Sequence, residues 1–203
     1  MRKIDFLFPS LVAMAAFCFV SCAENKPAEE AATAKTEKPD YGGFESQIKW
    51  GEHLVTIAGC NDCHTPKIMT PQGPADDTTR LLSGHPASMP SPDVDRKQME
   101  SKGLVVTSTF TSWVGPWGIT YSANLTPDET GLGTWTEDQF IYAIKNSVSK
   151  GLPGSRPLFP PMSLMPVKHM STDELKAVFS YLRTIKPISN ISVQPTPPVL
   201  VMK

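Results

Sequence analysis

Cysteine and histidine are both scarce in this chain, with four of each among 203 residues. Cys18 and Cys22 lie in the first 22 residues, so only Cys60 and Cys63 remain for the rest of the chain. A structural zinc site needs two further ligands at matched spacing, and there is no second C-x-x-C. The scarcity of ligands therefore argues against a zinc ribbon.

An excess of charge is also lacking. The formal net charge is −1, and lysine and arginine occur in short pairs at most, so the chain has no basic surface of the kind that binds nucleic acid. A hydrophobic content of 40% in this length is enough for one modest core. Twenty prolines and thirteen glycines indicate much irregular backbone between a few helices. We expect a single folded domain without a nucleic-acid partner.

The chain begins with "MRKIDFLFPSLVAMAAFCFVSC", in which a basic start precedes an apolar run that is too short to span a membrane comfortably. This pattern predicts an export signal over residues 1–22. Its end resembles the lipobox of bacterial lipoproteins, which implies that Cys22 is acylated and becomes the mature N-terminus, while Cys18 leaves with the signal. The alternative is ordinary cleavage after Ser21 or Ala23, which would release a soluble periplasmic protein.

The next segment, residues 23–40, contains no aromatic residue and no apolar periodicity. It is predicted to be a flexible tether with a root-mean-square reach of about 25 Å. The alternative is a spacer with no mechanical purpose.

The stretch "AGCNDCHTP" at residues 58–66 places His64 directly after Cys63 in a C-x-x-C-H motif. A thioredoxin-like redox pair would need a βαβ setting, whereas the flanks here are helical before the motif and rich in proline after it. A plain disulfide would leave the adjoining histidine unexplained. C-x-x-C-H is the attachment pattern of a c-type haem, because two thiols reach the two vinyl groups while the imidazole binds the iron. We therefore predict one haem c, with thioethers on Cys60 and Cys63.

His64 is then the proximal iron ligand through one ring nitrogen. The other ring N–H is expected to donate to a backbone carbonyl, which fixes the orientation and basicity of the ring. Gly73-Pro74, in the loop after the motif, is a candidate source of that carbonyl.

Apolar periodicity predicts three helices. The first leads into the motif, and Gly51 within it suggests a close helix crossing. A second helix begins at the capping pair Thr136 and Gln139. The last begins at a capping box of Ser171 and Glu174 and ends before Pro187. The apolar stripe of the first helix is Phe44, Ile48, Leu54, Val55 and Ala58.

With these features the chain resembles a class I monohaem cytochrome c. The resemblance implies an all-α cytochrome c fold over residues 41–187, with crossed N- and C-terminal helices around one covalent haem and long Pro-rich loops. The Pro-rich residues 188–203 are expected to form an extended strap. In this family a Gly-Pro in the loop after the motif supplies the carbonyl for the histidine, and the role is therefore assigned to Pro74.

The sixth iron ligand is expected in "PLFPPMSLMPVKHM", because class I cytochromes carry a methionine in the loop before the last helix. A thioether favours the ferrous state and closes the iron to substrates. Met162 is the preferred ligand because "RPLFPPM" resembles one branch of the family. Met165, which precedes a proline, is the alternative, and Met170 lies next to the helix cap as a packing residue.

The same branch is marked by "GEHLVTIAGCNDCHTP" and "ANLTPDETGLGTWTEDQF". Both are similar to the cytochrome c subunits of membrane-bound quinoprotein alcohol and aldehyde dehydrogenases, although this chain has one haem motif where those subunits have three. The resemblance implies a lipid-anchored electron carrier on the periplasmic side of a bacterial membrane, with no substrate turned over. Its partners would be a dehydrogenase donor and a terminal oxidase or similar acceptor.

Two other functions stay open at this point. One is a haem enzyme or gas sensor with an open or displaceable sixth ligand, and the other is a fixed subunit of a larger dehydrogenase complex. The excess length between residues 66 and 122 has no assigned function. Trp113 and Trp117 are candidates for the wall of the haem pocket, and Arg80 and Arg156 are candidates for pairing with haem propionates.

Overall fold

The structure is a computed structural model, and it describes residues 40–199, which belong to one compact unit. The predicted signal segment with Cys22, the tether up to residue 39 and the end of the strap from residue 200 lie outside the described residues.

Five α-helices occur in the described part of the chain, and most of them begin at a capping side chain. Ser46 caps the first helix by accepting from the backbone N–H of Lys49, and Asp95 caps the third in the same way. The predicted capping boxes at the starts of the fourth and fifth helices are both confirmed. The helices are α1 (Gln47–Ile57), α2 (Cys60–His64), α3 (Arg96–Ser101), α4 (Glu137–Asn146) and α5 (Thr172–Leu182).

The predicted crossing of the first and last helices is confirmed, and Gly51 is the residue that permits it. A Cβ at this position would lie 1.9 Å from the carbonyl oxygen of Ala177, so the backbones of α1 and α5 touch directly. Helix α4 completes the core with Phe140, whose ring lies 5.3 Å from that of Phe179. The buried apolar residues of this core are Leu54, Val55, Leu82, Leu132, Phe140, Leu175, Ala177, Val178, Phe179 and Leu182.

The all-α prediction needs a correction, because the described chain also contains two antiparallel hairpins. In the first, β1 (Lys67–Thr70) pairs with β2 (Gly73–Asp76), and in the second, β3 (Ser112–Gly115) pairs with β4 (Gly118–Tyr121). Strands of four residues are too short for a clear alternation of apolar and polar residues. The second hairpin is also mostly buried on both faces, which removes the alternation altogether.

The C-terminal segment, residues 188–199, runs along the edge of the second hairpin. Ile119 and Thr196 exchange two backbone hydrogen bonds of 2.8 and 2.9 Å, so the segment adds one antiparallel bridge beside β4. Gly118 is required there, because its φ is +99° and a Cβ would lie 2.0 Å from the carbonyl oxygen of Thr196. The segment is therefore joined to the second hairpin by backbone hydrogen bonds.

In the described part of the chain, four short 3₁₀ helices occupy loops: Thr78–Arg80, Ser149–Gly151, Met162–Leu164 and Pro166–His169. Within residues 40–199, no helix is both long and apolar enough to span a bilayer.

The helix crossing predicts the effect of Gly51→Ala. Alanine is the better helix former by about 1 kcal/mol, but its Cβ would collide with the backbone of α5, and overpacking of this kind costs about 1–3 kcal/mol or more. We expect the free energy of unfolding, measured by urea titration of the loaded protein, to fall by about 2 kcal/mol. The exposed Thr56→Ala on the same helix should change it by less than about 0.5 kcal/mol. Equal or greater stability of the Gly51 variant would contradict the crossing.

Candidate functional site

The C-x-x-C-H motif forms the short helix α2 (Cys60–His64), directly after the end of α1. Gly59, with a φ of +66°, makes the left-handed turn between the two helices. The motif is therefore attached to the helix that crosses α5. Cys60 and Cys63 are half-buried free thiols, with no disulfide between them.

Burial raises the pKa of the Cys60 thiol to about 11, and the neighbouring Cys63 and Asp62 act in the same direction. Burial also raises the pKa of Cys63. A redox pair of the thioredoxin type needs a cysteine with a lowered pKa, because the thiolate is the nucleophile. Both pKa shifts have the opposite sign, which argues against that reading of the motif.

His64 has a defined tautomer. Its Nδ1 lies 2.8 Å from the carbonyl oxygen of Ala123, and since a carbonyl only accepts, the ring proton is on Nδ1. The lone pair of Nε2 is then available to a metal. Burial lowers the pKa of His64, which favours the neutral imidazole that a metal requires.

The carbonyl that accepts from His64 comes from Ala123, 59 residues downstream, and the assignment to Pro74 is corrected accordingly. Pro74 lies in β2, where it is exposed and pairs with Met69, itself 78% exposed. The hairpin carries the Gly73-Pro74 segment out towards solvent and away from the ring. Ala123 opens the stretch that resembles the family branch, but no local signal in the sequence distinguishes its carbonyl.

Gly84 brings two segments together behind His64. With a φ of +78°, its Cβ would lie 2.5 Å from the carbonyl carbon of Ala123, so only glycine permits the contact. The N–H of Gly84 donates to the carbonyl of His64 at 2.7 Å. The hydroxyl of Ser122 donates to the carbonyl of Cys63 at 2.5 Å. The ring and the backbone of the motif are thus held by the same two segments.

Two further side chains fix the end of α2. The buried Thr65 donates to Asn61 Oδ1 and accepts from the N–H of Leu82, both at 2.9 Å. Lys67 Nζ donates to the carbonyls of Asn61 and Thr65 and to the carboxylate of Asp76 at 2.6 Å. A cation at a helix C-terminus interacts favourably with the free carbonyls, and this one also links α2 to the first hairpin.

Met162 begins the 3₁₀ helix Met162–Leu164 and is half-buried, as is Met165 at the end of that helix. Thr120, which is 6% exposed, donates to the carbonyl of Pro160 at 2.7 Å and accepts from Trp117 Nε1 at 3.2 Å. The loop that carries Met162 and Met165, here called the methionine loop, is therefore attached to β4 through the carbonyl of Pro160, two residues before Met162.

Residues 120–123 consequently contact both parts of the site. Thr120 bonds to the methionine loop, Ser122 bonds to the backbone of the motif, and Ala123 accepts from the ring of His64. None of these contacts was predicted from the sequence.

The remaining site candidates have partners within the chain. The indole of Trp117 bonds to Thr120, and Trp113 lies opposite Thr120 in the hairpin. Arg80 Nε bonds to Asp77 Oδ2 at 2.7 Å. The guanidinium of Arg156 lies 5.3 Å from the centre of the Phe159 ring. Neither the wall role of the tryptophans nor the propionate role of the arginines is tested by these contacts.

The donor chemistry fits a covalently bound haem. Two free thiols and an imidazole with Nε2 available lie on one helical turn, and a thioether lies on a separate loop. In the part of the chain that the structure describes, no cluster of three or more His, Cys, Asp or Glu side chains could hold a bare metal ion. The two thiols and the free imidazole nitrogen of the motif are the groups that covalent attachment of a haem requires.

His85 supports the same region from behind. It is completely buried, and its backbone N–H donates to the carbonyl of Ser122 at 3.0 Å. Its Nε2 donates to the carbonyl of Met89 and its Nδ1 lies 2.9 Å from the hydroxyl of Thr111, while the ring packs against Tyr121. Burial lowers the pKa of His85, so the ring is neutral.

The chain is similar in sequence to cytochrome c subunits of bacterial dehydrogenases. No protein-family model matches the chain. It is 33% identical to the cytochrome c subunits of the quinone alcohol dehydrogenases of Gluconacetobacter polyoxogenes and Komagataeibacter europaeus, over 81% of this chain and 27% of each relative. It is 32% identical to the gluconate 2-dehydrogenase cytochrome c subunit of Pantoea cypripedii, over 68% of this chain and 23% of that relative. The chain thus spans about a quarter of the length of these relatives.

The burial of His85 predicts a pH dependence of stability. Below about pH 6.5 the unfolded state protonates this histidine while the folded state resists, so the free energy of unfolding should fall as the pH decreases. We expect His85→Gln to lose less stability than the wild type between pH 7.5 and pH 5, as measured by urea unfolding. The exposed His169→Gln should follow the wild type. An unchanged pH dependence in the His85 variant would contradict the assignment.

Proposed function

Because this chain is related to the cytochrome c subunits of bacterial dehydrogenases, we propose that it is an electron carrier with one covalent haem c. Cys60 and Cys63 form the thioethers, His64 is the proximal ligand and Met162 is the sixth ligand. The protein is exported, is anchored by lipid on Cys22 to the periplasmic side of a bacterial membrane, and passes single electrons. The donor is a dehydrogenase, and the acceptor is a terminal oxidase or a similar protein.

The main support for this proposal is that residues 120–123 are hydrogen-bonded to both proposed ligand segments. The segment bonds to the methionine loop through Thr120 and to the motif through Ser122 and Ala123. If His64 and Met162 held a haem, both ligand segments would need one rigid frame, because movement of either segment between the oxidised and reduced states would slow electron transfer. The hydrogen bonds of this segment supply such a frame.

When bound, haem c supplies the one-electron couple. The chain contributes the rest. Ala123 accepts from Nδ1 and so orients the imidazole and raises its basicity. The proline-rich loop loses less conformational entropy when it holds a weak thioether ligand, which favours Met162. A methionine ligand closes the iron, so the protein exchanges electrons and does not turn over a substrate.

The relatives indicate which class of protein would donate electrons to this chain. They are subunits of dehydrogenases that act on alcohol or gluconate, so a dehydrogenase is the proposed donor. The single C-x-x-C-H motif supports one haem in this chain.

The sixth ligand is tested by the optical spectrum of the oxidised protein. The weak far-red band of a methionine-sulfur-to-ferric-iron bond should be present in the wild type and absent in Met162→Ala, because Met162 is the proposed source of the sulfur and alanine has none. Met165→Ala, three residues away in the same loop, should keep the band. Loss of the band in the Met165 variant alone would move the ligand to Met165. A wild type without the band that binds carbon monoxide readily would favour an open haem and contradict the carrier.

The lipid anchor is tested by fractionation. Cys22→Ser should move the haem-loaded protein from the membrane fraction to the soluble fraction, because the acylated cysteine is the proposed attachment. The haem content per chain serves as the control and should not change. A variant that stays with the membrane would contradict lipidation as the means of attachment.

A further inference from the structure

Asn124 is the residue next to the carbonyl that fixes His64, and it is only 2% exposed. Its Nδ2 donates to the carbonyl of Ile188 at 2.8 Å, and its Oδ1 accepts from the backbone N–H of Thr126 at 2.9 Å. The same Nδ2 also lies 3.1 Å from the hydroxyl of Thr130. Both ends of this buried amide are thus used, and one end holds the C-terminal segment.

Asn190 makes the reciprocal connection from the C-terminal segment. Its Nδ2 donates to the carbonyl of Ser83 at 2.6 Å and to that of His85 at 2.9 Å. Its Oδ1 accepts from the N–H of Ala87 at 3.1 Å, and its own N–H donates to the hydroxyl of Thr130 at 2.9 Å. The side chain of Asn190 is therefore hydrogen-bonded to the backbone on both sides of Gly84.

The two asparagines together fix the two segments that hold His64. Gly84 donates to the carbonyl of His64 and touches Ala123, and Ala123 accepts from the ring of His64. Asn190 fixes the segment that contains Gly84, and Asn124 fixes the segment that contains Ala123. Residues 188–190 are the point where both are joined.

We propose that Asn190 and Asn124 are positioning residues for the proximal ligand, through which the C-terminal segment sets the hydrogen bond from His64 to Ala123. This inference rests on the proposed function. The bond gives the imidazole partial anionic character, which stabilises ferric iron. Loosening the segment lengthens the bond, makes the ring less basic and raises the reduction potential of the loaded protein.

A purely structural role for the same asparagines makes a different prediction. Loss of Asn190 would then lower the stability of the fold without changing the electronic properties of His64. Stability alone is therefore not a sufficient readout, and the test must measure the hydrogen bond and the potential in folded, haem-loaded protein.

The experiment compares Asn190→Ala with Asn146→Ala. Asn146 is a matched control, because it is an exposed asparagine whose Nδ2 donates only to the carbonyl of Tyr142 within α4. The rate of deuterium exchange at His64 Nδ1, measured by NMR on the ferric protein, should rise at least about fivefold in Asn190→Ala, as expected for loss of one hydrogen bond. The reduction potential should rise in the same sample. Neither quantity should change in Asn146→Ala.

Asn190→Ser is the milder variant if Asn190→Ala does not fold, because its hydroxyl keeps one donor, and it should give smaller changes of the same sign. The far-red band of the methionine ligand should persist in all variants, since the change is on the proximal side. Unchanged exchange and potential in a folded Asn190 variant of lower stability would overturn the inference and leave the carrier function in place. A wild type without covalent haem would overturn the proposed function together with this inference.

Discussion

The hydrogen bond from His64 Nδ1 to the carbonyl of Ala123 is the constraint on which the rest of the site depends. It fixes the proton on Nδ1, leaves Nε2 for a metal and sets the orientation of the ring. The partner is a backbone atom 59 residues away, so the bond exists only when the intervening chain is correctly folded. The long connection between the motif and β4 is therefore needed to bring Ala123 to His64, a role that its composition did not indicate.

The fold meets this constraint with backbone contacts that only glycine permits and with the side-chain amides of two asparagines. Gly51 allows α1 and α5 to cross, and Gly84 allows its segment to touch Ala123. Asn124 and Asn190 then hold this region against the C-terminal segment. A polar group removed from water stabilises a structure when it is satisfied, and the amides of the buried Asn124 and the half-buried Asn190 are satisfied at both ends.

The sequence was informative where the signals are local. The C-x-x-C-H motif, the capping boxes at Thr136 and Ser171 and the glycine at the helix crossing each depend on a few neighbouring residues. The carbonyl of Ala123 and the hydroxyl of Thr120 act across long separations, and neither a residue just after β4 nor one within a four-residue strand belongs to a periodic pattern that would reveal it. For the same reason the two short hairpins escaped an all-α prediction, and the family's Gly-Pro rule selected Pro74, which lies on an exposed hairpin.

The proposed electron transfer depends above all on one haem bound covalently by the C-x-x-C-H motif. The most direct measurement is the intact mass of the exported protein after denaturation, combined with titration of free thiols and a pyridine haemochrome spectrum. We expect the mass of the mature chain with its lipid on Cys22 plus one haem, no reactive thiol at Cys60 or Cys63 and a spectrum typical of two thioether bonds. A mass that lacks the haem, with both thiols free after maturation in a host that makes c-type cytochromes, would contradict covalent haem attachment.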